Sequence, residues 1–168
     1  MQKNILQVIG TNTLVDILDF HDIPAKIDTG ADSSSIWASE IEMQKNGILR
    51  FKFFAPSSPF YRDEFHEATD YSVSVVRSSN GAEQIRYRVK IPTRIGEQTI
   101  KVYYTLADRT ANNFPILIGR RTLKNKFLVD VSKRHFNPPR NKKTKGLNQE
   151  LQQDPYQFHK KYIKSKKK

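Results

Sequence analysis

Apolar and polar positions in this chain alternate in short runs, without the 3.6-residue stripe of amphipathic helices. The runs are rich in Val, Ile, Tyr and Phe and bounded by Gly, Pro, Asn or Ser, which predicts many short strands. Strands are expected at 4–9, 14–20, 25–27, 48–54, 71–77, 84–91, 99–106, 114–118 and 127–131. Their close spacing suits an all-β barrel or sandwich, because a βαβ crossover needs about a dozen residues or more. Two hairpins are expected, one turning at Asn80-Gly81 and one at Gly96, since these residues tolerate positive φ. Alternation in "IRYRVKI" puts Ile85, Tyr87, Val89 and Ile91 on one face and Arg86, Arg88 and Lys90 on the other. "FAPSSPFYRDEFHEATD" has two prolines and no period and reads as a long surface loop. Helix is scarce, with a turn or two expected in "RRTLKNK" after Gly119.

Charge divides the chain. The net charge is +12 over 168 residues, but residues 1–132 carry 17 Lys/Arg against 15 Asp/Glu, whereas residues 133–168 carry 12 against 2. One folded domain, 1–132, and a basic, flexible tail, 133–168, are therefore expected. In the tail, Pro138-Pro139, Pro155 and the final lysines leave little apolar surface to offset ordering entropy. Cysteine is absent, which excludes disulfides, thiol catalysis and thiolate zinc sites. No apolar run approaches the roughly 20 residues that span a bilayer, and the first residues lack a cleavable leader pattern. A cytoplasmic protein without a membrane partner is the expectation.

The candidate chemistry lies in "AKIDTGADSSSIWA". Alone, Asp28-Thr29-Gly30 is a common turn tripeptide. Here it closes an apolar run and has a counterpart far downstream in "NFPILIGRRTL", an apolar strand ending in Gly-Arg. With these segments the chain resembles the retropepsin-like aspartic proteases. More closely, it resembles the bacterial family labelled "ATP-dependent zinc proteases", through "IPAKIDTGADSSSIWA", "VVRSSNGAEQIRYRV", "TLADR" and "FPILIGRRTLKNKFLVDVS" in that order. "TANN", before Phe114, departs from the methionine-containing segment of that pattern.

The resemblance implies a small, closed or nearly closed retropepsin-like barrel with one short helix after the Gly-Arg segment. It also implies peptide or amide hydrolysis without a cofactor. One Asp-Thr-Gly per chain cannot supply the two carboxylates this chemistry uses, whereas a two-fold homodimer can. Asp28, Thr29 and Gly30 would form the catalytic loop: Asp28 to activate water, Thr29 to bond across the axis, Gly30 to leave room for substrate backbone. Ala31 follows, and Asp32 with Arg120 would brace the loop. The hairpin tip carrying Ser78, Ser79, Asn80 and Gly81 would be a flap over the substrate. Members of the family are associated with ligases that add glutamate to polypeptide ends, which points to an acidic peptide substrate. Asp108 and Arg109 belong to a matched segment with no chemistry attached.

The label itself finds no support in the residues. His21, His66, His135 and His159 are scattered, "HEATD" lacks the second histidine of a His-Glu-x-x-His helix, and no phosphate-cradling glycine loop is present. A second reading is a non-catalytic module of the same fold, whose basic tail, with Tyr156, Phe158 and Tyr162 interleaved, docks RNA or ribosomes.

Overall fold

The computed structural model describes residues 6–77, 81–137 and 142–163. Among them, in chain order, are β1 (Gln7–Ile9), β2 (Asn12–Ile17), β3 (Phe20–Asp28), β4 (Ser34–Met43), β5 (Leu49–Phe53), β6 (His66–Ala68), β7 (Tyr71–Arg77), β8 (Glu83–Ile95), β9 (Gln98–Ala107), β10 (Ile116–Gly119), α1 (Arg120–Leu123), β11 (Phe127–Val129), α2 (Lys142–Gln153) and α3 (Pro155–Tyr162). The chain divides into two compact units, one ending at Asn137 and one following it.

The first unit is a closed six-stranded barrel, as the pattern of short strands predicts. Neighbouring strands run β10-β3-β2-β8-β9-β4, and β10 closes the ring by pairing parallel with β3 on one side and antiparallel with β4 on the other. Closure leaves these six strands no shared open edge. Ile17, Ile23, Ile36, Leu106, Ile116 and Ile118 fill the interior and are almost fully buried, each stabilising by roughly 1.5–3 kcal/mol. The far half of β4 leaves the ring to pair with β5, where Phe20, Phe53 and Phe54 pack in edge-to-face and tilted contacts. β1 and β11 form a separate parallel pair.

Both expected hairpins are present. β7 and β8 pair through Arg77 and Glu83, with Gly81 at φ 85°, and β8 turns into β9 at Gly96, φ 58°. Burial along the "IRYRVKI" face is uneven. Val89 and Ile91 are buried, but Ile85 is 74% exposed, with Val73 and Val75 exposed beside it. The hairpin arms run past the end of the barrel, so the apolar row continues where there is no core.

Other expectations are corrected. The run 14–20 is not one strand: Leu18 adopts φ 49° in a turn, and Phe20 opens β3, which extends on both sides of the expected 25–27. Pro24 is accommodated because β10 covers β3 only from Ala25 onward. The sequence pattern does not predict β4, because its buried Ser34 and Ser35 look like loop residues. β6 lies inside the stretch read as loop, where His66 pairs with Phe51. The expected boundary after residue 132 falls within the first unit. Asn12 Oδ1 accepts the His135 and Phe136 amides at 2.9 and 3.1 Å, and Phe114 stacks against Phe136, which ties residues 133–137 to the barrel.

The second unit is more regular than its composition suggests. Pro155 occupies the first turn of α3, where its missing N–H costs nothing, and Asp154 caps that helix by accepting the Gln157 amide at 3.0 Å. Glu150 of α2 accepts from Lys161 Nζ and Tyr162 Oη at 2.7 and 2.9 Å, holding the two helices together.

Candidate active site

Asp28 is the last residue of β3, at the point where the chain leaves the barrel wall. Its Oδ1 accepts the Gly30 and Ala31 amides at 3.1 and 3.2 Å, so the loop is folded around its own carboxylate. Oδ2 pairs with the exposed Lys26 ammonium 3.3 Å away, from the residue two positions earlier on the same strand face. Thr29 and Gly30 are exposed beyond it. A Cβ on Gly30 would meet only Asp28 Oδ1, at 3.4 Å, so the folded chain itself does not demand glycine there.

The downstream segment lies against this loop. Gly119 is in register with Asp28 across the β10–β3 pair. The Arg120 and Arg121 amides donate to the Ala31 and Asp32 carbonyls at 2.8 and 3.2 Å, and the Arg120 guanidinium pairs with the Asp32 carboxylate. Arg121 reaches the same carboxylate at 3.9 Å. Asp32 and Arg120 meet as the resemblance implies, and Ser34 joins them without having been a candidate in the sequence. That buried hydroxyl accepts the Gly119 amide at 3.0 Å and bonds the Thr122 hydroxyl at 2.8 Å, joining β4, β10 and α1 directly behind the loop. The available signal was a run of three small hydroxyl residues after Asp32.

The β7–β8 hairpin faces the loop across a cleft of about 560 Å³. Gly30, Ala31 and Asp32 line one side and Ser74, Val76 and Arg86 another. Ser78, Ser79 and Asn80, the expected flap tip, lie outside the described residues, whereas Gly81 is exposed at the hairpin's end. The cleft is strongly cationic, its lining carrying five arginines (77, 86, 109, 120 and 121) against Asp32. Burial and then the Arg86 charge pull Arg109 below the usual arginine range, with Asp28 acting in the opposite direction. An arginine still keeps its proton.

A second concavity, about 700 Å³ and more apolar than polar, adjoins Thr29 and α1, with Arg120, Arg121 and Lys124 in its lining. Leu123, Phe127, Leu128 and Val129 contribute to it, and Leu128 is 53% exposed. Among the described residues no three His, Asp or Glu side chains converge as a metal cluster would require. No helix among them is long and apolar enough to cross a membrane.

A closed barrel in which an Asp-Thr-Gly loop is laced to a Gly-Arg segment defines the retropepsin-like class. Residues 8–140 match the RimB-like family, described as retropepsin-like aspartic endopeptidase RimB, and the chain belongs to that family. It is also similar to proteins named "probable alpha-L-glutamate ligase". The one from Shewanella pealeana is 29% identical over 122 residues, covering 66% of this chain and 25% of the relative. The one from Desulfotalea psychrophila is 24% identical over 111 residues, covering 64% and 24%. The chain thus spans about a quarter of the length of these curated relatives. A solved structure of a Legionella pneumophila protein of unknown function aligns with a TM-score of 0.59 at 25% identity, over 76% of this chain and 95% of that one.

Proposed function

We propose that this chain is an aspartic-type peptide or amide hydrolase that works as a homodimer, with a water held between Asp28 and its symmetry mate. The observation that carries the reading is Asp28 itself. It is a half-buried carboxylate at a strand end, with one oxygen fixed by two amides and the other 3.3 Å from the exposed Lys26 ammonium, in a chain that carries one Asp-Thr-Gly. Two carboxylates brought together on an axis share a proton, the general behaviour of aspartic-protease pairs. One takes a proton from the water as its oxygen attacks the amide carbon, while the other protonates the carbonyl oxygen. Collapse of that intermediate breaks the C–N bond and returns a proton to the leaving amine. The exposed Thr29 beside an apolar groove supports the dimer, since an axis through that loop would bury both. The cationic cleft supports an acidic peptide, in keeping with relatives whose names attach them to glutamate ligation.

The test compares hydrolysis of glutamate-rich peptides by wild type and Asp28→Asn, with oligomeric state followed by sedimentation. Loss of about three orders of magnitude in rate with the dimer intact is expected. Undiminished cleavage by Asp28→Asn overturns the reading. The second reading, a binding module without catalysis, draws on α3, where Lys160 lies 4.7 Å over the exposed Tyr156 ring in a basic helix. It predicts that wild type is inert and that removing residues 138–168 abolishes a salt-sensitive RNA interaction.

A further inference from the structure

Arg109 is the charged group in the barrel that the fold leaves least accounted for. It is 9% exposed yet lines the cleft beside the Asp28 loop. Buried cations are normally paired with a carboxylate. Arg109 Nε donates to the Phe114 carbonyl at 2.9 Å, and no carboxylate among the described residues lies within ion-pair distance of it. A carbonyl dipole holds the side chain in place without neutralising it.

The residue is held on both sides. Asp108 Oδ1 accepts the Thr110 amide and hydroxyl at 2.9 and 2.5 Å, and the Asn112 amide donates to the Arg109 carbonyl at 2.8 Å, fixing the turn that carries it. With Nε committed, the two terminal nitrogens remain as a planar fork, the geometry that suits a carboxylate. The other cleft arginines are occupied: Arg120 and Arg121 by Asp32, and Arg77 by Glu83. Arg86 is the exception. Half-buried, it bonds the neutral Gln84 at 2.7 Å and lines the same cleft as Arg109, on which its charge acts. Two guanidinium groups that share one cleft repel, and an anion bound between them converts that repulsion into two attractions. Gly30 and Ala31 of the Asp28 loop line the same cleft as Arg109, so such an anion would sit beside that loop.

We propose that Arg109, seconded by Arg86, is the specificity-determining residue of the cleft and binds a carboxylate of the peptide next to the bond that lies over Asp28. This rests on the hydrolase reading for its placement, but not for its test. The carboxylate would come from an acidic side chain or from a chain terminus, which are the same chemistry from two sources.

The experiment measures binding of N-acetylated, C-amidated tetraglutamate and tetraglutamine to the full chain, for wild type, Arg109→Gln and Arg86→Gln. Because the lysine-rich tail attracts any anion, the readout is the affinity ratio of the two peptides, with the tail unchanged in every variant. Wild type should prefer tetraglutamate by about tenfold or more, Arg109→Gln should bring the ratio to within about twofold of one, and Arg86→Gln should lower it less. Tetraglutamine with a free C-terminus is the second arm. If it binds as tightly as amidated tetraglutamate, the terminal carboxylate is the group recognised. A wild-type ratio near one, or a ratio unchanged in Arg109→Gln, overturns the proposal. So does equal loss of both peptides, which marks a purely structural role. If Arg109→Gln does not fold, Arg109→Lys, which keeps charge but loses the fork, should show an intermediate ratio. A preserved preference without cleavage would remove the hydrolase reading and leave this inference standing. Cleavage without preference would do the reverse.

Discussion

Gly119 lies level with Asp28 in the parallel pairing of β10 with β3, so close to the loop that a Cβ there would come within 2.5 Å of the Ser33 carbonyl oxygen and 2.9 Å of that of Ala31. Both obstacles are backbone and cannot rotate away. Gly119→Ala should therefore destabilise the barrel by about 1–3 kcal/mol or more. Gly30→Ala, which meets only Asp28 Oδ1, should change stability by less than about 0.5 kcal/mol. Thermal unfolding of the two variants side by side checks the contrast. If Gly30→Ala also proves inactive while folded, the glycine serves substrate and not fold.

Ser34→Ala removes the acceptor of a buried amide. With the Gly119 N–H left unpaired, a loss of about 1–3 kcal/mol is expected in denaturant titrations. A loss near zero would mean that water replaces the hydroxyl.

Asp32 and Arg120 are both largely exposed, and exposed ion pairs add less than about 1 kcal/mol. Asp32→Asn should accordingly leave the unfolding midpoint nearly unchanged while lowering hydrolysis by about tenfold, through loosening of the loop. Equal losses of stability and activity would make the pair a fold element.

Leu128→Asp tests the groove beside Thr29. The substitution places a charge on an exposed position, so the barrel should remain folded while sedimentation shows a monomer and hydrolysis is lost. A folded, active dimer would overturn the placement of the proposed axis at this groove.

The acid limb of stability should depend on Asp16. Burial alone raises its carboxyl, but the Asp22 amide at 2.9 Å and Arg94 Nε at 2.7 Å outweigh it and hold the group below its ordinary value of 3.8. A carboxyl lowered by folding contributes stability that is complete above the unfolded value and disappears as pH falls through the folded one. Asp16→Asn should be less stable than wild type at pH 7, and the gap should close as pH drops below about 4. Denaturant midpoints across that range measure it.

The barrel was legible because its strands alternate and its turns carry glycine at Gly81 and Gly96. The meeting of Asp32 with Arg120 followed from the resemblance, since nothing in their sequence separation joins them. Ser34 was hidden for a physical reason: a hydroxyl buried to satisfy an amide looks, in sequence, like one exposed in a loop. The exposure of Ile85 was not legible either, because alternation reports which residues share a face and not whether that face meets a core. The helices of the second unit were obscured by Pro155, which breaks a helix in its interior but begins one at its first turn.

The barrel's outgoing chain returns to where it set out. Gly10 lies against the backbone of Lys133, whose carbonyl accepts the Thr11 amide at 2.8 Å, while β1 pairs alongside β11. Two ends that leave a domain side by side let it be spliced into a longer polypeptide, or circularly permuted, without stretching either connection. The neighbouring ends thus give the barrel the geometry of a portable cassette, one that another domain can adjoin without pulling it open.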